Sequence, residues 1–521
     1  MEPVSAAVRE IVVVGGGSAG WLAAGVIAAE HGQASGVRVT VIESPEIGTI
    51  GVGEGTWPSM RATLRRMGIP ETTFIRECDA SFKQGSCFRG WLTGRADERY
   101  YHPFSLPQGF GEMNLANHWP ELAGGQPFAE AVCAQAAVCE RGLAPKQITT
   151  PEYAFNLNYG YHLDAGKFAA LLQRHCTGTL GVRHIADKVV AVNGEAEGDV
   201  RSVSTETNGE IAGDLFLDCS GLGALLIGKH YGIAFRSRKQ QLFNDSALAA
   251  QVPYPDPESP IASHTIGTAR RNGWIWDIGL PSRRGVGYVF SSAHVDDAAA
   301  EAELRAYLAG TGAPDAAGVA VRKLLFAPGH RSVFWHRNCV AVGMAAGFIE
   351  PLEASALALV EQSARIVAEQ LPADRTVMDA VARRFNTRML HHWDRIVDFL
   401  KLHYVLSRRD DSEYWRDSRD HGGISDSLAE MLLLWETQSP WIQDAPLVDE
   451  LFPAASFQYV LYGMGGATRS STGGRSALLR ERDRAQALLR ECAGTTSRLL
   501  GALPTNRSLL GKITQYGLPA I

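Results

Sequence analysis

Two carboxylates, Glu350 and Glu353, stand in the otherwise apolar stretch Phe348-Ile-Glu-Pro-Leu-Glu-Ala-Ser-Ala-Leu357. A Gly-punctuated apolar run, Val340–Gly347, precedes them, and a helical pattern from Leu357 to Leu371 follows. Pro351 ends the extended part and a helix is expected to open near Glu353 or Ala354. The first-turn N–H groups of that helix have no intrahelical partners and lie at the positive end of its dipole. They offer a site for an anion or for the polar edge of a flavin. Read locally, Glu350 is simply solvated and Glu353 caps the helix. Lys83, in Ala80-Ser-Phe-Lys-Gln-Gly85, poses a similar choice. A lone lysine is usually solvated, but between Phe82 and the apolar-aromatic run Cys87–Trp91 its ammonium is costly unless it has work or a partner. Arg99-Tyr-Tyr-His-Pro-Phe104 packs aromatics around a proline, either as core or as a flat slot for an aromatic substrate.

The elements that must position these residues begin at the amino terminus. A β-branched run, Ile11–Val14, meets Gly15-x-Gly17-x-x-Gly20 and then an Ala-rich helical segment. Gly15 permits the tight turn, Gly17 lets the backbone approach a pyrophosphate, and Gly20 lets helix and strand pack closely. A second strand, Val37–Ile42, ends in Glu43, where a carboxylate accepts ribose hydroxyls. An adenine dinucleotide is the expected cofactor, and the acid argues against NADP without separating NAD from FAD. The segment Asp214–Gly221 resembles the strand that returns to the same sheet in flavoproteins of the two-dinucleotide-binding type, with Asp218 at its end. No second G-x-G-x-x-G occurs, so electrons for a bound FAD are expected from elsewhere. The Gly-rich stretch Gly48–Thr56 allows backbone contact with a flat ligand or serves as a flexible connection.

Further along, Asn193-Gly and Asn208-Gly mark hairpin turns between residues 183 and 217. Period-two alternation puts Trp274, Trp276 and Ile278 on one face of a strand. Beyond residue 355 the chain turns helical, over Thr376–Tyr404, from a capping box at Ser427–Glu430, and over Arg480–Arg490. Gly463–Gly474 reads as a loop. No metal-ligand spacing is present, and the adjacent His391 and His392 point apart on a helix. The 521 residues carry 45% apolar and 20% charged side chains and a net charge of −6. That balance leaves no basic footprint for nucleic acid or an anionic membrane. Eight cysteines without a C-x-x-C pair read as reduced thiols. No apolar run reaches about 18 residues, so no membrane span is expected. A strand that starts almost at once leaves no room for a signal peptide, and the expected location is the cytoplasm.

Four motifs together resemble the flavin-dependent halogenases, the family typified by the tryptophan halogenases: Gly15-Gly-Gly-Ser-Ala-Gly-Trp21, Phe82-Lys83, Gly273-Trp-Ile-Trp-Asp-Ile278 and Glu350-Pro-Leu-Glu353. The similarity runs from Ile11 to about Gly465. It implies an α/β, FAD-binding Rossmann-like fold of the flavoprotein monooxygenase kind, with an added sheet and a helical carboxy-terminal substrate-binding part. The implied division is residues 1–355 for FAD with inserted substrate-lining segments and residues 356–521 for the helical part, packed as one unit. The resemblance further implies that FADH2, supplied by a separate flavin reductase, uses O2 and bromide or chloride to make hypohalous acid, which reaches Lys83. Glu353 assists, His102 and Phe104 sandwich an indole, and backbone N–H groups at Ser355 and Ala356 hold the halide. Gly15, Gly17, Ser18, Ala19, Gly20, Glu43, Gly53, Asp218, Gly343 and Gly347 would contact the flavin, and Trp274 and Trp276 would wall it from the substrate. A homodimer is common in that family.

The chain departs from the tryptophan halogenases in having Gly279 where a proline is usual and Ala-Ser-Ala after Glu353. This version looks like a branch acting on indole or simple indole derivatives, with free tryptophan the second reading and Trp435 and Trp441 candidates for gripping it. A single-component aromatic hydroxylase and a non-catalytic flavin-binding protein are the rival functions. The first lacks its expected Asp-Gly motif, and the second sits poorly with Lys83 and Glu353 both being present.

Overall fold

The computed structural model describes residues 7–46, 48, 53–469 and 475–520. The chain separates into two units, each assembled from three segments. The first comprises Met1–Asp79, Leu163–Arg238 and Ala327–Trp393, and the second Ala80–His162, Lys239–Phe326 and Asp394–Ile521. Residue 355, the boundary expected from sequence, thus falls inside the first unit.

The first unit is built on a six-stranded sheet. Its spatial order is Trp335–His336, Cys339–Ala341, Leu215–Asp218, Glu10–Val14, Arg38–Glu43 and Arg183–Ala186. All neighbours are parallel except the outermost pair, Trp335–His336 with Cys339–Ala341. Buried on both faces, its central strands read as unbroken apolar runs rather than alternating ones. Helix Ser18–His31 packs on helices Ala165–Gly178 and Ser355–Glu369. The hairpin turn expected at Asn208-Gly209 joins Ser202–Thr205 to Gly209–Ala212 in a separate antiparallel sheet.

The second unit carries a seven-stranded sheet in the order Val321–Leu325, Ser246–Pro253, Arg283–Phe290, Gly273–Gly279, Thr265–Arg270, Gly85–Arg89 and Arg99–Pro103. It is antiparallel except where Thr265–Arg270 meets Gly85–Arg89. Ile275, Tyr288, Phe290 and Leu304 share a dry core beneath helix Asp297–Gly310, whose Asp296 cap accepts from Ala299 N at 2.8 Å. The strand of Trp274 and Trp276 is buried along its whole length, not on one face only. The alternation of side chains along the strand stands, and both of its faces are covered.

The expected helices form with shifted ends. Thr376–Tyr404 becomes Arg375–Val405, and Arg480–Arg490 lies within Arg475–Ala502. The capping box is displaced: Ser425, not Ser427, caps helix Asp426–Trp435 by accepting from Leu428 N at 3.0 Å. Residues 49–52 of the Gly48–Thr56 stretch and 470–474 of the Gly463–Gly474 loop lie outside the described residues.

Candidate active site

In the first unit, strand Glu10–Val14 delivers the chain into Gly15 at φ +115°, a backbone conformation that L side chains rarely adopt. A Cβ there would meet Cys219 O at 2.2 Å, and one on Gly20 would meet Gly15 O at 1.9 Å. Both glycines are therefore demanded by close packing of helix, strand and returning strand. Gly17 differs, since among the described residues nothing lies within 4 Å of the Cβ it lacks. Gly17 is also the amino-terminal cap of helix Ser18–His31 and carries no side chain to cover its first-turn N–H groups. An open approach to uncapped helix N–H groups fits a dinucleotide's pyrophosphate.

Around this turn, Ser18 Oγ lies 3.4 Å from Ala165 O, and the Cβ that Gly343 lacks would sit 2.8 Å from Ala19 Cβ. Half-buried Glu43 ends the neighbouring strand, with Oε2 3.3 Å from Trp21 Nε1 and 3.2 Å from His184 Nε2. Asp218 is wholly committed to main chain and one hydroxyl. Its Oδ1 accepts from Ser220 N and Oγ, and its Oδ2 from Leu226 N at 2.9 Å and Ile227 N at 2.8 Å. It shapes the turn that follows its strand. Gly347 is needed by its own sheet, where a Cβ would strike Gly329 O at 2.5 Å. Gly53 opens the short strand Gly53–Gly55.

The Glu350/Glu353 turn belongs to the same unit. Neither carboxylate is solvated: Glu350 is 1% and Glu353 3% exposed. Glu353 is also not the helix cap. That position falls to Ala354, held left-handed at φ +56° and ψ +44°, ahead of helix Ser355–Glu369. A side chain in this conformation costs about 1–2 kcal/mol, and the turn is held by Ala354 N to Pro351 O at 3.1 Å and by Trp57 Nε1 donating to Glu353 O at 2.8 Å. No side chain caps the helix, so its first N–H groups stay free of that partner. Ser355 is buried and Ala356 exposed.

In the second unit, Lys83 ends the short strand Ser81–Lys83, which pairs antiparallel with Gly160–Asp164 in the register Ser81 to His162 and Lys83 to Gly160. The lysine is 1% exposed, with Nζ 5.3 Å from the ring centre of half-buried Phe104. The bond from Phe104 N to Gln84 O, 3.1 Å, sets that ring beside the strand. His162, near Lys83 in the register, is buried with Nε2 2.8 Å from Thr265 Oγ1. Burial, and next the charge of Lys83, hold its pKa well below the ordinary histidine range, so it adds no second cation. His102 is buried, Nε2 2.9 Å from Ser456 Oγ, and packs on Phe399 at 5.5 Å. Trp274 and Trp276 stand 6.4 Å apart, and the Trp276 ring fills the space that a Cβ on Gly287 would take. Trp435 Nε1 and Trp441 N both donate to the Asp444 carboxylate, at 3.0 and 2.7 Å.

The family model for tryptophan halogenase matches residues 10–477. The chain belongs to the tryptophan halogenase family. Among curated relatives of this halogenase, 7-chloro-L-tryptophan 6-halogenase of Kutzneria sp. is 31% identical, over 96% of this chain and 99% of its own length. The crystal structure of tryptophan halogenase from Shewanella frigidimarina superposes with a TM-score of 0.95 at 51% identity, covering 99% of both chains. The flavin-dependent halogenase BrvH from Brevundimonas sp. superposes at 0.85 with 31% identity, covering 97% of this chain and 99% of that one. The halogenase is thus a flavin-dependent enzyme on the family's flavoprotein fold.

The nucleotide turn, Lys83 and the Glu350/Glu353 turn are candidates singled out by sequence, and Lys83, Glu350 and Glu353 are buried. Trp57, Ser456, His162 and Gly287, each beside a candidate residue, were not singled out. Of these only the cross-strand glycine left a trace, as a residue without a side chain inside the apolar run Val286–Phe290. The others join residues hundreds of positions apart or meet through strand register, which spacing does not encode.

Proposed function

We propose that this enzyme brominates or chlorinates an electron-rich aromatic ring, indole or an indole derivative, with hypohalous acid brought to Lys83. The observation that carries the reading is a lysine withdrawn from water and set against an aromatic ring, in a chain whose nucleotide turn is open at Gly17. Reduced FAD, when bound, supplies hypohalous acid from O2 and halide. Gly15–Gly20, Glu43, Gly53, Asp218, Gly343 and Gly347 would form or flank its cradle. The uncapped N–H groups at Ser355 and Ala356 hold the halide.

Lys83 Nζ donates a hydrogen bond to the oxygen of hypohalous acid and draws electron density from the oxygen–halogen bond. A ring carbon gives its π-electron pair to the halogen while the oxygen–halogen pair leaves on oxygen. That oxygen takes a proton from the Lys83 ammonium and departs as water. Glu353 then accepts the proton from the halogenated ring carbon, restoring aromaticity, and both groups regain their starting charge by proton exchange with solvent. The carboxylate also stabilises the cationic ring while it exists. His102 and Phe104 flank the ring, and Trp274 and Trp276 keep the flavin apart from it. Free tryptophan is a second reading, favoured by relatives named for tryptophan at 31% and 51% identity.

The test is an aerobic assay with FAD, a separate flavin reductase, NADH, bromide or chloride, and indole or tryptophan, followed by mass spectrometry. A halogen isotope pattern that disappears in Lys83→Ala, with flavin oxidation persisting, is the expected result. Halogenation that survives Lys83→Ala sinks the role of Lys83, and an oxygenated product without halogen favours hydroxylation.

A further inference from the structure

Asn506 is 0% exposed and opens helix Asn506–Tyr516, beyond the residues matched by the family model. Its side-chain Nδ2 donates to two carbonyls, Phe82 O and Ala262 O, each at 3.3 Å. Both partners are acceptors, so they fix which end of the amide faces them. Phe82 is the residue immediately before Lys83. Its carbonyl lies in a strand of only three residues, Ser81–Lys83, which has few bonds of its own to hold it. The other flank of the lysine is tied as well, since Gln84 N donates to Ser263 O at 2.7 Å and Gln84 Nε2 to Leu143 O at 2.7 Å.

Leu143 in turn bridges to Thr505, Ala144 N donates to Pro504 O at 2.8 Å, and Asn506 N donates to Gly142 O at 2.9 Å. The carboxy-terminal segment thus holds both sides of the lysine strand. Asn506 Oδ1 is buried without a hydrogen-bond partner in the structure, so the amide is kept at this place despite an unsatisfied atom. An amide whose side-chain bonds, among the described residues, hold the lysine strand to its neighbour is suited to fixing where the lysine points.

We infer that Asn506 is a positioning residue for Lys83, and that the carboxy-terminal segment is a latch that aims the lysine's amine at hypohalous acid. The inference rests on the proposed role of Lys83. A latch of this kind affects transfer to the substrate and leaves flavin chemistry alone, so its loss lets hypohalous acid escape unused.

The experiment compares the full-length enzyme with Asn506→Ala and Asn506→Ser under the bromide and indole assay. It follows product, NADH consumed, free hypohalous acid trapped by monochlorodimedone, and thermal midpoint. Asn506→Ala is expected to lower kcat roughly tenfold or more, as small misplacements of reacting groups do. KM for indole stays within about twofold, because ring binding is untouched, and trapped hypohalous acid rises as product falls. In a Lys83→Ala background the same change adds no further leakage, the non-additivity of residues acting as one unit. Asn506→Ser, which keeps one donor, falls between. An unchanged ratio of product to trapped acid, with or without a lower thermal midpoint, overturns the inference and leaves Asn506 a structural residue. Should Asn506→Ala fail to fold, Asn506→Ser is read by the same ratio. If the parent enzyme makes no halogenated product, it is the proposed function that has failed, not the latch alone.

Discussion

Gly15, Gly17 and Gly20 share one motif yet answer to different forces. At Gly15 the conformation and the Cys219 carbonyl both exclude a side chain, and at Gly20 the Gly15 carbonyl does. At Gly17 the space is open and only an arriving ligand would contest it. Gly15→Ala should therefore cost folding stability, about 2–4 kcal/mol as strained or overpacked sites do, seen in a denaturant midpoint. Gly17→Ala should leave that midpoint in place and weaken FAD binding by roughly tenfold, read from flavin fluorescence. If Gly17→Ala binds FAD as the parent does, the pyrophosphate does not approach there. Lys83 is a residue-scale case of the opposite kind. Its type suggested a solvated charge, and only its neighbours decide that it is buried.

At the scale of the element, helix Ser355–Glu369 is joined to helix Ser59–Met67 by a buried carboxylate. Glu361 accepts from Ser59 Oγ at 3.0 Å and Thr63 Oγ1 at 2.5 Å. Burial pushes its carboxyl up from 4.5 to about 7, against the lowering effect of those two bonds. Because the folded chain holds this proton more tightly than the unfolded one, its contribution to stability is complete below pH 4.5. It is lost progressively as pH rises toward 7. The loss is of the order of 3 kcal/mol. Glu361→Gln should remove that part of the pH dependence, so that the variant gains on the parent as pH rises from 5 to 8 in paired thermal melts. Equal slopes for the two proteins would show that Glu361 does not bind its proton this way. The same helix begins at a strained Ala354, and the strain is maintained by the Trp57 indole and the Pro351 carbonyl. A strand, a turn and a helix that are continuous in sequence are thus held by partners from far away.

For the whole molecule, the candidate site residues are divided between two folding units. The nucleotide turn, Glu43, Asp218 and the Glu350/Glu353 turn belong to the first, and Lys83, His102, Phe104, Trp274 and Trp276 to the second. Each unit draws on three separated segments, so neither is a contiguous domain that could be cut out at residue 355. Lys83→Ala, made in the second unit, should leave FAD affinity at its parent value while halogenation is lost. A matching fall in FAD affinity would mean that Lys83 also serves flavin binding. Among the described residues no helix is long and apolar enough to cross a membrane.

Local order was legible in the chain because local physics writes it there. An unbroken β-branched run, a glycine at each tight approach and a period of three to four residues predict the nucleotide strand, its turn and the long helices without reference to anything distant. The motifs around Lys83 and Glu353 were legible for the same reason, since each lies within a few residues. Tertiary structure alone decided what those motifs experience. It buried Glu350 and Glu353, gave the cap to Ala354, covered both faces of the tryptophan strand and committed Asp218 to its own turn. It also brought Asn506 to Phe82. Burial and hydrogen-bond partnership depend on which segments meet, and the spacing of residues along one segment carries no record of the other.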